Sequence, residues 1–239
     1  MSMDALYDPA PQPGPGRILL VMLPGAKGRP QDLVQWGFVR ALRERNLSID
    51  VVAVDAHLGY YLERSLSEHL THDIIAPARV RNYQRIWLMG ISLGGMGSLL
   101  YAREHPADIE GVIVLAPFLG ARGTIAEVVR AGGLARWQPG AIKPDDDERL
   151  LLAWIKACQP VAATSPKIFL GYGTDDRFAA PSKMLAERLP AAQVVTLPGG
   201  HDWATWLCLW QHLLDQDLFS GGKQVARKRV TVPQQPATT

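Results

Sequence analysis

The sequence predicts a doubly wound α/β fold, a mostly parallel sheet of about six strands covered by helices on both faces. Three observations carry this. Short apolar runs alternate with segments whose apolar residues recur at helical spacing. The runs hold few polar residues, as strands buried on both faces do. The chain has 239 residues, 47% apolar and 20% charged, which suits one globular domain whose core needs neither disulfide nor metal.

The first run is 17–23 (RILLVML), ended by Pro24 and Gly25. Pro30 then suits a first helical turn, and Leu33, Val34, Phe38, Ala41 and Leu42 follow at helical spacing. The second strand is 49–54. Leu62, Leu66, Leu70, Ile74 and Ala78 repeat every four residues, which predicts one face of a long helix. The third strand is 85–91, and a helix from Ser92 to His105 closes before Pro106. Strands at 111–116, 167–172 and 193–197 follow. A short helix around Met184, Leu185 and Leu189 separates the last two. Trp203, Trp206, Trp210 and Leu213 mark the face of a final helix.

The expected organisation is a flexible Pro-rich leader over 1–16, a folded domain over 17–219, and a basic polar tail over 220–239. The stretch 118–166 is longer than one crossover requires. It is expected to form a small helical cap over the carboxyl edge of the sheet. Its apolar helix (Leu150, Leu151, Leu152, Trp154, Ile155) would cover a site or join two copies in a homodimer.

Charge narrows the partners. The net charge is +2, but Lys223, Arg227, Lys228 and Arg229 all lie in the tail. The rest of the chain carries 21 basic against 23 acidic residues, with no stripe of the kind nucleic acid demands. No apolar stretch reaches membrane-spanning length. Cys158 and Cys208 form no framework, which fits reduced thiols and a cytoplasmic location. The acidic run 145–148 reads as a helix first turn rather than a metal site. No His/Cys cluster, GxGxxG or Walker loop implies a metal or other cofactor.

The chemistry concentrates in Gly90-Ile91-Ser92-Leu93-Gly94, a GxSxG between a strand and a helix. The glycines permit a sharp turn that lifts the serine hydroxyl out of the sheet. A serine needs a base, and His201 sits in the glycine turn between the last strand and last helix. The base needs an acid. Asp176 is preferred, with Asp175 beside it as the reserve, both after the fifth strand. Asp202 suits the N-cap of the final helix. Beyond the second strand, His57 and Tyr60 line either a substrate pocket or a packed loop.

Serine, acid and histidine in this order resemble the α/β-hydrolases, particularly small bacterial esterases and lipases, from Arg17 to about Phe219. The resemblance implies a serine hydrolase cleaving a small-molecule carboxylic ester. It also implies an oxyanion hole formed by the amides of Leu93 and of Ala26, next to Gly25. The antiparallel leading hairpin of larger members looks absent. Thioesterase, amidase, lactonase and acyltransferase chemistry use the same triad, and a non-catalytic ligand-binding role is the rival from another class.

Overall fold

The computed structural model describes residues 2–12, 17–158 and 166–219. Seven strands form one sheet: β1 (Ala5–Asp8), β2 (Ile18–Leu23), β3 (Ile49–Val54), β4 (Arg85–Ile91), β5 (Gly111–Leu115), β6 (Lys167–Gly173) and β7 (Val194–Leu197). Their order is β1-β3-β2-β4-β5-β6-β7, and every pairing is parallel except β1 with β3. Six parallel strands match the sequence reading. The seventh corrects it.

That extra strand lies in the leader. Ala5 to Asp8 pair antiparallel with Val54 to Val51, and Met3 is buried beside them. The prolines begin only at position 9. They end the strand rather than prevent it, since proline removes a ladder donor. Arg43 bonds the Asp8 carboxylate and carbonyl, and the Met3 N–H donates to Asp73 at 2.7 Å. The remainder of the expected leader, 13–16, and the expected tail, 220–239, lie outside the described residues.

Pleating sends alternate side chains to opposite faces. In β2, Leu19, Val21 and Leu23 join one core while Leu20 and Met22 join the other. The second core is roofed by α1 (Pro30–Gln35), α2 (Phe38–Glu44) and α10 (Trp203–Leu214). The first is roofed by the 66–80 helical stretch and by α6 (Leu93–Glu104), α8 (Asp147–Ala157) and α9 (Ala179–Ala186). Two layers of helix therefore sandwich the sheet.

The long helix departs from its expected form. Leu62 ends a separate short helix, α3 (Leu58–Leu62), and is 75% exposed. The stripe then runs through α4 (Leu66–His69), a π-helical stretch (Leu70–Ile75) and α5 (Ala76–Val80). A repeat of four falls between the 3.6 residues of an α turn and the wider π turn. Mixing the two keeps Leu66, Leu70, Ile74 and Ala78 buried on one side.

The 118–166 stretch holds α7 (Arg122–Arg130) and α8. Leu151, Leu152 and Ile155 are fully buried in the chain's own first core. These three side chains face the sheet, while Leu150 and Trp154 on the same helix are only partly buried. Both cysteines are free thiols.

Candidate active site

The site is built where β4 turns into α6. Ser92 has φ 53° and ψ −112°, a left-handed backbone that a side chain adopts only under constraint. The constraint is visible. Its N–H donates to the Leu115 carbonyl at 2.9 Å, and its own carbonyl accepts from Met96 at 3.2 Å and Phe118 at 2.9 Å. The flanking glycines are required by close approach. A Cβ on Gly90 would stand 2.1 Å from the Gly94 carbonyl oxygen, and one on Gly94 would stand 2.2 Å from that of Leu23.

Asp176 arrives from the carboxyl end of β6 and His201 from that of β7. The Nε2 of His201 lies 3.0 Å from Ser92 Oγ. Its Nδ1 lies 2.8 and 3.0 Å from the two Asp176 oxygens. Asp176 Oδ1 also accepts the Phe178 N–H at 2.7 Å. The Asp176 side chain is wholly buried, whereas His201 keeps 11% of its side-chain surface. Phe178 and Trp206 stand edge-on to the imidazole at 4.9 Å each. These two aromatics flank His201; the sequence marked Trp206 as a helix-face residue and as the second tryptophan of an esterase-like motif, and gave Phe178 no role.

The reserve acid does something else. Asp175 faces Gly199, accepting its N–H at 3.1 Å, and makes no bond to His201. Asp202 caps α10, accepting the Thr205 N–H at 2.9 Å. That backbone bond holds its carboxyl below the usual aspartate range.

The expected oxyanion donors, Leu93 and Ala26, lie on two segments near the serine. Leu93 is the first residue of α6, so its N–H has no acceptor within the helix. Gly25 abuts Ser92, since a Cβ there would be 3.6 Å from Ser92 Cβ. Ala26 follows it and lines an open groove of about 960 Å³ with Lys27, Asp55 and His57. His57 accepts the Gly59 N–H at 3.1 Å, starting α3, and stacks on Tyr60. Tyr60 instead lines a smaller cavity beside Leu93 and Phe118. Of the three expected pocket residues, Gly25 lies against Ser92, while His57 and Tyr60 face different spaces. Among the described residues, no group of three or more His, Cys, Asp or Glu side chains is placed to hold a metal. No described helix is long and apolar enough to cross a membrane.

Solved structures resemble this arrangement as a fold. Est1E from Butyrivibrio proteoclasticus with bound ferulic acid is 17% identical, covers 90% of this chain and 95% of its own, and superposes with a TM-score of 0.58. S-formylglutathione hydrolase from Staphylococcus aureus is 15% identical over 83% of this chain and 80% of its own, at 0.53. The Paleococcus ferrophilus monoacylglycerol lipase is 17% identical over 90% and 100%, also at 0.53. No curated relative matches the chain in sequence. Residues 53–220 match the profile of the family described as "Putative esterase". That span takes in β4, α6 and the loops bearing Asp176 and His201, and by it the chain belongs to the esterase family of carboxylic ester hydrolases.

Proposed function

We propose that the chain cleaves its ester through Ser92, His201 and Asp176 by way of an acyl-enzyme. The observation that carries this is the unbroken contact line, 3.0 Å from Ser92 Oγ to His201 Nε2 and 2.8 Å from His201 Nδ1 to Asp176 Oδ2. Ser92 attacks the ester carbonyl carbon as His201 takes the hydroxyl proton. The carbonyl oxygen gains the electron pair and is held by the amides of Leu93 and Ala26. When the pair returns, the C–O bond to the alcohol breaks and His201 gives its proton to the leaving oxygen. Water then attacks the acyl carbon while losing a proton to His201; the bond from that carbon to Ser92 Oγ breaks, and His201 returns the proton to Ser92 Oγ as the acid leaves. Asp176 holds the imidazole in the tautomer with hydrogen on Nδ1 and stabilises it when charged.

The enclosing residues favour this cycle. Phe178 and Trp206 shield His201 from water on two sides, which strengthens the electrostatic contacts within. The test is turnover of p-nitrophenyl esters by wild type and Ser92→Ala, with fluorophosphonate labelling of both. Wild type turns over and takes one label, while the variant does neither. Full turnover by Ser92→Ala overturns the assignment.

A further inference from the structure

A cavity of about 260 Å³ opens beside Leu93, the residue that follows Ser92, between the α3–α4 segment and α6. Leu93 lines it, as does Phe118, whose N–H is bonded to the Ser92 carbonyl. Leu66, Met96 and Leu100 make its wall apolar. Tyr61 closes the inner side, seated so tightly against α6 that a Cβ on Gly97 would fall 2.6 Å from its hydroxyl. The outer rim is charged. Arg64 reaches Asp147 at the start of α8 with bonds of 2.7 and 3.0 Å, and holds the Pro144 carbonyl at 2.8 Å. Glu104 and Glu148 complete that rim.

We propose that this cavity receives the acyl half of the ester and restricts it to short and medium apolar chains, with the Arg64–Asp147 pair as its outer limit. The inference rests on the acyl-enzyme at Ser92. Orientation comes from the proton donor. The leaving oxygen must face His201 Nε2, so the alcohol lies toward the loops carrying His201 and Asp176. None of the cavity's residues comes from those loops. They follow β3, β4 and β5 instead. The half pointing away from His201 is the acyl chain.

Size comes from volume. At about 260 Å³ the cavity falls just below the range of about 300–1,000 Å³ that holds drug-sized ligands, which suits a short or medium chain. A longer chain must pass Arg64, Asp147 and the two glutamates, where its methylenes would displace water from charges.

The experiment is kcat/KM across p-nitrophenyl acetate, butyrate, hexanoate, octanoate and dodecanoate. Wild type gains with each pair of methylenes to about hexanoate, by up to about fourfold per methylene, since the wall is apolar. It then falls by about tenfold or more at dodecanoate. Leu100→Phe fills the far wall and raises the acetate-to-hexanoate ratio by about tenfold. Arg64→Ala, on the exposed rim, raises the dodecanoate-to-hexanoate ratio instead. Opposite shifts from the two variants are the expected result. Turnover by wild type with both ratios unmoved in both variants overturns the acyl assignment alone. Absence of turnover and of Ser92 labelling overturns the catalytic reading and this one with it.

Discussion

Asp175 and Gly199 bond each other twice. The Gly199 N–H donates to Asp175 Oδ2 at 3.1 Å, and the Asp175 N–H donates to the Gly199 carbonyl at 3.0 Å. This clasp ties the loop carrying Asp176 to the turn carrying His201, two residues beyond Gly199. Neighbouring carboxylates thus have separate tasks. Asp176→Asn lowers kcat by about 10⁴, because the imidazole loses its tautomer and its counter-charge. Asp175→Ala removes one exposed bond and costs about 1 kcal/mol of stability, with kcat falling by much less. Steady-state kinetics and urea unfolding of both variants check the division. A larger kcat loss in Asp175→Ala would reverse it.

Gly94 is held against backbone, which cannot swing aside. A Cβ there meets the Leu23 and Pro24 carbonyl oxygens at 2.2 and 2.5 Å. Gly94→Ala therefore pushes the 23–26 turn away from Ser92. Overpacking of this kind costs about 1–3 kcal/mol. Displacing the Ala26 amide would lower kcat by about 10²–10³. Denaturation midpoints and kcat should fall together, whereas Gly123→Ala, inside α7 where a Cβ meets nothing within 4 Å, leaves kcat unchanged and raises the midpoint slightly.

The strain at Ser92 is separable from its chemistry. Glycine adopts φ near 53° freely, so Ser92→Gly releases part of a backbone cost of about 1–3 kcal/mol. The expected protein is inactive and unfolds at higher urea concentration than wild type. Ser92→Ala, which keeps a Cβ, gains less. Equal midpoints for the two variants would show that the turn carries no strain.

Asp202 gives α10 a pH-dependent start. Its folded pKa is depressed, first by the Thr205 N–H bond. A depressed carboxylate stabilises above its unfolded value, near 3.9, and that stability is lost as pH falls through the lower folded value. Asp202→Asn keeps a capping acceptor without the charge. Thermal midpoints of variant and wild type should differ at pH 7 and converge below about pH 4. A constant difference across that range removes the charge from the explanation.

Much of this was readable in the sequence because the signals are local. Residues 85–91 are an uninterrupted apolar strand, and Gly90, Ser92 and Gly94 encode a turn within five positions. His201 was legible from its place between the last strand and last helix. Choosing Asp176 over Asp175 was less secure, since adjacent loop residues differ only in the direction the chain sends them. The 2.8 Å bond to His201 separates them. Nor does β1 announce itself, because four residues ahead of a proline run carry too short a period of their own and gain their order from β3. Spacing also joined Leu62 to a helix that in fact starts after it. Arg64 and Asp147 are 83 positions apart, and no pattern in the chain pairs them.

The short antiparallel strand has a practical meaning for anyone trimming this protein. A recombinant version beginning at Arg17 would retain every residue of the catalytic line and all six parallel strands. It would also strip one side of β3, leaving Val51 to Val54 without their partners from Ala5 to Asp8. Asp73 and Arg43 would lose Met3 and Asp8 as well. Bare ladder groups along a β-branched strand are a template for another chain, so the trimmed enzyme would be a poor candidate for concentrated storage even with its chemistry intact.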